Sequence, residues 1–237
     1  MTELYINGVS KMKDVYYKKL LQCPICLFEF YTTKIKMRAV KIQSRDEDFC
    51  TYYKDYNPMY YEIFICPNCG YGASENFFKD INDSEKRTLI EVFAGRGVGR
   101  DFGGLRTHKD ALDSFKIALY TANIKKGRKS LMAGLALKTA WMYRYINDDN
   151  EFDFLKIALE YYKEAFDTER LSDNNLEELT VIYLIGEISR RVGMYEESLD
   201  WFNRLVNHPD RGTNRRIEKL AREQWRKVRE IIKTSGQ

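Results

Sequence analysis

The chain has 237 residues, 44% of them hydrophobic and 31% charged, and a formal net charge of only +4. That balance belongs to a folded globular protein and excludes a disordered one, and the small net charge does not call for a nucleic-acid partner. No stretch of the sequence approaches the roughly 20 apolar residues that cross a bilayer, so no membrane partner is expected.

Met1-Thr2-Glu3-Leu4-Tyr5 lacks the basic region and apolar run of a signal peptide, and a cytoplasmic location is the expectation. Five cysteines in a reducing compartment point to metal or thiol chemistry and away from a disulfide framework. The 17 tyrosines are read as filling helix contacts with their hydroxyls at the surface. A stacking platform for bases is the other reading.

Residues 1–83 read as a small β module. Runs with period-two alternation occur at Leu27–Tyr31, Lys36–Ile42 and Tyr60–Ile65, the mark of half-buried strands. Asn57-Pro58 is a turn signal ahead of the third run. Two cysteine hooks stand in this module, Cys23-Pro24-Ile25-Cys26 and Cys66-Pro67-Asn68-Cys69-Gly70. Two thiolates across each tight turn make a four-sulfur set suited to a tetrahedral structural Zn2+, with Cys23, Cys26, Cys66 and Cys69 as ligands. The hooks are 39 residues apart, positions 27 to 65, longer than a compact ribbon spacing and accommodated by a β insertion. Gly70 suits the turn after its hook; Leu27 at the same place in the first hook is a departure that weakens the turn but leaves the ligands.

Dithiol redox chemistry is the rival for these cysteines, but it needs one hook at a helix N-terminus, not two after strands. A catalytic zinc would keep an open position and usually a histidine, and His108 and His208 both lie far along the chain. Cys50, in Asp46-Glu47-Asp48-Phe49-Cys50, is read as a small half-buried side chain and not as a fifth ligand.

Residues 84–107 read as a connecting helix and a hinge. The stretch from Ala94 to Arg106 carries five glycines and the arginines Arg96, Arg100 and Arg106. It lacks the Lys-Ser/Thr of a P-loop and follows a helix, so it is no nucleotide fingerprint. An anion or partner contact through the three arginines is a subsidiary expectation.

Residues 108–237 are helical and carry a repeat of 40 residues. Lys116-Ile117-Ala118-Leu119 recurs as Lys156-Ile157-Ala158-Leu159 and again as Glu196-Glu197-Ser198-Leu199. Each copy has apolar or small residues at helical spacing and follows another helical stretch, clearest at Leu131–Ile146 and Leu176–Val192. Paired helices that cannot bury their own apolar stripe stack into an α-solenoid. The third copy, with Gly186, Gly193, Ser198, Trp201-Phe202 and Pro209, resembles a tetratricopeptide repeat. That resemblance implies close helix packing at Gly186 and Ser198, although 40 exceeds the usual ~34-residue period. Arg215–Ile232 places Ile217, Ala221, Trp225, Val228 and Ile232 on one face and Arg215, Arg216, Lys219, Arg222, Arg226, Lys227 and Arg229 on the other. It is read as a capping helix, with a basic arm for an acidic partner or nucleic acid as the alternative.

No Ser-His-Asp set, paired-carboxylate signature or His-Glu-x-x-His motif stands in the sequence, and no catalytic residue is assigned. The hooks, Asn57-Pro58-Met59-Tyr60-Tyr61 running into Ile65–Ala73, and Asp101–Thr107 followed by Ala111 and Lys116–Leu119 resemble the bacterial family of unknown function DUF2225. The resemblance implies zinc ligands at Cys23, Cys26, Cys66 and Cys69 and a helical, tetratricopeptide-like remainder. It implies no activity. The expected protein is therefore α+β and mostly α, a zinc-ribbon-like β module followed by a tetratricopeptide-like solenoid. It would act as a non-enzymatic adaptor with a protein or peptide on its helical surface. A nucleic-acid-binding ribbon, using Lys34, Lys36, Arg38 and Lys41 together with the basic C-terminal helix, is the alternative; a thiol–disulfide oxidoreductase ranks third.

Overall fold

The computed structural model describes residues 15–93, 100–171 and 177–235. Its strands form three separate antiparallel pairs. Strand β1 (Tyr16–Gln22) pairs with β2 (Glu29–Ile35), β3 (Ile42–Arg45) with β4 (Thr51–Tyr53), and β5 (Ile63–Ile65) with β6 (Gly72–Ser74). In the first pair Leu21 lies opposite Phe30, and both turn into the core, while Leu20 and Tyr31 form the exposed pair beside them. This alternation is what period-two side-chain geometry imposes on a strand with one buried face.

The strand expected at Lys36–Ile42 is not there. Met37–Ala39 form a 3-10 turn and only Ile42 enters a strand. Met37 and Ile42, which an extended strand would place on opposite faces, are both exposed. Ala39 and Val40 instead pack on the cluster of Val15, Ile35 and Tyr61, so that burial goes to the two residues of the turn. The Asn57-Pro58 signal does make a turn: the Met59 amide donates to Asn57 Oδ1 at 2.9 Å, and Pro58–Tyr61 are 3-10. Strand β5 is buried on both faces.

The helices are α1 (Asp83–Phe93), α2 (His108–Ile124), α3 (Lys129–Arg144), α4 (Asn150–Thr168), α5 (Glu178–Arg191), α6 (Tyr195–Val206) and α7 (Arg215–Ser235). Thr107 starts α2 with a capping box, its hydroxyl accepting from the Asp110 amide while its own amide donates to the Asp110 carboxylate at 2.8 Å. Helices α3 and α4 pack together, as do α5 and α6, and α7 packs on α6 and α5. Short turns join the partners of each pair, which makes them antiparallel neighbours.

The chain divides into two compact units. Unit 1 comprises the chain up to Arg45 together with Thr51–Gly127, and unit 2 comprises Asp46–Cys50 together with the chain from Arg128. The sequence-based boundaries stood at residues 83 and 107. The division instead falls after Gly127, because α2 packs on β5, β6 and the Pro58–Tyr61 turn. The first copy of the 40-residue repeat thus belongs to unit 1. Phe115, Ala118 and Ala122 are buried there, in the same stripe that Leu155, Ala158 and Tyr162 bury in α4.

In unit 2 the contact between α5 and α6 is as close as the third copy implied. A Cβ added at Gly186 would stand 2.8 Å from the Phe202 ring, and the buried Ser198 hydroxyl donates to the Gly186 carbonyl at 2.8 Å. Gly186→Val is expected to destabilise unit 2 by about 1–3 kcal/mol through overpacking. The check is a lower urea midpoint followed by far-ultraviolet circular dichroism. An unchanged midpoint would show that the two helices can part freely.

Helix α7 buries Ile217, Ala221 and Val228 against Leu179, Ile182, Tyr183, Phe202 and Leu205, with Trp225 and Ile232 partly buried beside them. Its arginines and lysines at 215, 216, 219, 222, 226, 227 and 229 are exposed. Among the described residues no helix is long and apolar enough to cross a membrane.

Candidate metal centre

The two hooks are held by one hydrogen-bond pattern used twice. The amide of Cys23 donates to the Phe28 carbonyl at 2.9 Å, and that of Leu27 donates back to the Cys23 carbonyl at 3.0 Å. In the second hook Cys66 donates to Tyr71 and Gly70 donates to Cys66, both at 2.9 Å. The residue after each second cysteine takes the left-handed conformation, Leu27 at φ 64° and Gly70 at φ 84°. The turn weakness that the sequence placed at Leu27 is thus backbone strain: Leu27 adopts the glycine conformation with a side chain.

That conformation costs a non-glycine residue roughly 1–2 kcal/mol, and glycine's larger chain entropy offsets part of the gain from replacing it. Leu27 is 62% exposed, so little packing is at stake. Leu27→Gly is expected to raise the stability of unit 1 by about 0.5–1 kcal/mol, seen as a higher Tm of metal-loaded protein. A lower Tm would mean that Leu27 contributes contacts beyond its turn.

This arrangement brings the four predicted ligands together. The sulfurs of Cys23, Cys26, Cys66 and Cys69 all lie within 4.8 Å of one another. Cys23 Sγ is 3.7 Å from Cys69 Sγ, and Cys26 Sγ is 3.6 Å from Cys66 Sγ. Four sulfurs around a tetrahedral ion with metal–sulfur bonds near 2.3 Å stand about 3.8 Å apart. The cluster therefore fits a metal ion. Cys23, Cys66 and Cys69 are buried and Cys26 is partly exposed. Leu21, Ile25, Phe30, Phe64, Tyr71, Phe78 and Leu89 pack around them.

The electrostatics also favour a cation. With thiols alone, hydrogen bonds from Cys23 and Cys69, with backbone N–H groups of Cys69 and Asn68, pull the Cys66 thiol well down. Cys23 is pushed up, first by its hydrogen bond with Cys66. Cys69 is driven far upward, first by its hydrogen bond with Cys23. One thiolate can be carried by its neighbours, and further thiolates need a positive ion at the centre. The backbone is already arranged for it: the amides of Ile25 and Cys26 face the Cys23 sulfur, those of Asn68 and Cys69 face the Cys66 sulfur, and that of Tyr71 faces the Cys69 sulfur. Asn68 Nδ2 reaches from the second hook to Cys26 Sγ at 3.4 Å.

The remaining sequence candidates stand elsewhere. Arg96 lies outside the described residues. Arg100 is paired with Asp110 and Asp113 on α2. Arg106 is buried, its Nε donating to the Phe102 carbonyl at 2.9 Å and its Nη1 to the Tyr60 carbonyl at 3.1 Å. Burial pushes its guanidinium down to about 10. Arg100 and Arg106 stand 4.9 and 5.8 Å from the centre of the same Phe102 ring. Lys34, from the basic run of the nucleic-acid reading, pairs with Glu75 at 2.6 Å, as does Lys19 at 2.5 Å. Cys50 is fully buried in unit 2 and is not one of the four clustered sulfurs.

Sequence reasoning missed the setting of Asp48. It is fully buried, accepts from Arg144 Nη1 and Nη2 at 2.9 and 2.7 Å, and accepts from Trp141 Nε1 at 3.0 Å. Nothing near residue 48 in the sequence announces partners more than 90 positions away.

The fold and site define a class: a four-cysteine metal-site module in one unit and packed helical hairpins in the other. The family described as "Uncharacterized protein conserved in bacteria (DUF2225)" matches residues 16–228, and the chain belongs to it. No curated protein and no solved structure matches the chain.

Proposed function

We propose that the protein is a non-enzymatic zinc-binding adaptor of the bacterial cytoplasm. The observation that carries the zinc assignment is the pair of hooks with one repeated hydrogen-bond pattern and four sulfurs at tetrahedral spacing. Cys23, Cys26, Cys66 and Cys69 would hold the ion as a closed, structural site. The two equivalent knuckle turns support a zinc-ribbon-like module. A reducing compartment keeps such thiols available for metal.

The adaptor half of the reading rests on unit 2. Its consecutive helical hairpins, close-packed at Gly186 and Ser198, support a tetratricopeptide-like solenoid, a scaffold that binds peptides or partner proteins by shape and charge. A tagged pull-down from native cytosol, divided into nuclease-treated and untreated halves, tests it. A protein partner that persists after nuclease treatment is the expected result.

One observation favours a second reading. The outer face of α7 exposes seven arginines and lysines, at 215, 216, 219, 222, 226, 227 and 229. Were these phosphate contacts, affinity for RNA or DNA would fall steeply with salt, and the captured partners would vanish with nuclease. Either outcome moves the assignment to a nucleic-acid-binding protein.

A further inference from the structure

The segment Asp46-Glu47-Asp48-Phe49-Cys50 belongs to unit 2, and side chains of that unit's helices meet Asp46, Glu47, Asp48 and Phe49. The segment closes on itself: the Asp46 amide donates to the Cys50 carbonyl at 2.8 Å and the Phe49 amide to the Asp46 carbonyl at 3.0 Å. Arg144 of α3 binds the Asp48 carboxylate with both Nη atoms and reaches Asp46 Oδ2 at 2.8 Å. Trp141 of α3 completes the cradle around Asp48. Arg191 of α5 stands 3.4 Å from the Glu47 carboxylate and 3.5 Å from that of Asp48. Lys227 of α7 pairs with the other Glu47 oxygen at 3.1 Å. Tyr183 of α5 donates to the Glu47 carbonyl at 2.9 Å, and the Phe49 ring lies 5.5 Å from the Tyr183 ring.

The cations are set in place by carboxylates of the helices themselves. Glu151 of α4 holds Arg144 Nε at 2.7 Å, and the buried Glu187 of α5 holds Arg191 Nε at 2.9 Å. Planar guanidinium forks fixed this way are organised to receive carboxylates. The Tyr183 ring beside them meets the Phe49 ring. Buried ion pairs give little net stability compared with apolar packing of the same volume, because both charges lose water. They do give selectivity for a ligand of matching charge.

We propose that this pocket of α3, α5 and α7 is a recognition site for acidic segments that carry an aromatic residue, and that Asp46–Phe49 is its resident ligand. The partner is a protein whose exposed Asp/Glu-rich, aromatic-containing segment takes the same place. This deepens the adaptor reading and rests on it, by naming the chemistry of the partner. A resident segment has an effective concentration in the millimolar range. A partner must therefore bind more tightly than the segment does, or arrive when the segment has opened.

Cys50 reports on that opening. It is fully buried, and a thiol reagent can reach it only when the segment leaves. The experiment uses the full, metal-loaded chain and a synthetic peptide spanning Gln43–Tyr52 with Cys50→Ser. Labelling of Cys50 is followed over time and located by mass spectrometry of the digested protein, so that the four clustered cysteines are counted separately.

The peptide is expected to raise the Cys50 labelling rate several-fold, with saturation, at concentrations on the order of millimolar. A peptide carrying Asp48→Asn and Phe49→Ala is expected to leave the rate unchanged. A second arm replaces Asp46–Phe49 by Gly-Ser-Gly-Ser in the full chain. That chain is expected to bind the fluorescent peptide at least about tenfold more tightly than wild type, with affinity falling as salt rises.

A Cys50 rate indifferent to the peptide overturns the proposal, whatever the replaced chain does, and does so in wild-type protein where misfolding is not at issue. That result would leave the pull-down outcome, and hence the adaptor reading, standing by itself.

Discussion

A Cys66→Ser chain is expected to carry no zinc and to lose the ordered packing of unit 1. Structural zinc of this kind contributes on the order of 10 kcal/mol to folding, which exceeds the whole stability of most small domains. Cys66 is buried, and its sulfur receives the backbone N–H groups of Cys69 and Asn68. A serine hydroxyl is a poor ligand there and leaves three thiolates without a closed shell. The surrounding core, with Phe30, Phe64, Tyr71 and Phe78 in edge-on and tilted ring contacts, is organised about the cysteines and has little else at its centre. Metal analysis should find about one zinc per wild-type chain and none in the variant. Limited proteolysis should then cut the variant within unit 1. Metal retained by Cys66→Ser, or absent from the wild type, would refute the ligand set.

Arg144→Met should have the second largest effect. It leaves the fully buried Asp48 with no bidentate partner, and stranding a buried charge in this way costs about 3–5 kcal/mol. Three carboxylates, those of Asp46, Asp48 and Glu151, lose a cation at 2.7–2.8 Å at once. Asp48→Asn placed in the same chain should recover much of the loss, because a neutral amide can still accept from Trp141. The pair should therefore show a coupling of about 1–3 kcal/mol in a double-mutant cycle read from urea midpoints. Additive losses would mean that the two side chains do not act on each other.

The pH dependence has a definite sign. Burial alone would raise the Asp48 carboxyl, but the hydrogen bonds from Arg144 and the charges of Arg191 and Arg144 outweigh it and hold the group below the usual aspartate range. Its contribution to stability is present above the ordinary aspartate value and is lost as pH falls through the lower folded value. Arg144→Met removes the largest of these lowering influences, while the Arg191 charge, the Trp141 hydrogen bond and burial remain. That variant should therefore lose less stability than wild type as pH falls below the ordinary aspartate value, measured by the same urea midpoints.

What the sequence disclosed, and what it hid, follow from how local each signal is. The four ligands were legible because a metal knuckle is written within four residues. The close contact at Gly186 and Ser198, and the buried stripe of α7, were legible because helical spacing is local too. The assignment of α2 was not. A stripe such as Phe115, Ala118 and Ala122 buries equally well against a β pair or against another helix, and periodicity does not tell them apart. The strain at Leu27 was visible only as an absent glycine. The Asp48 cradle was invisible, because nothing within Asp46-Glu47-Asp48 itself names a partner. Its partners Trp141 and Arg144 meet it only through tertiary folding.

The 39 residues between the hooks would give a bound metal a second role, that of a reversible crosslink. The turn of each hook is closed by its own local amides, so either hook would be arranged to meet an ion before the other. Completing the shell then ties the ends of a loop of about 40 residues, and a tie of that length removes about 4 kcal/mol of conformational freedom from the unfolded chain. The short β pairs enclosed by the loop are marginal alone; the closed ring restricts the freedom they would otherwise have to lose in folding. Assembly of unit 1 should accordingly follow ion capture at one hook, with a rate that rises with free metal until the second hook, not the supply of ions, sets the pace.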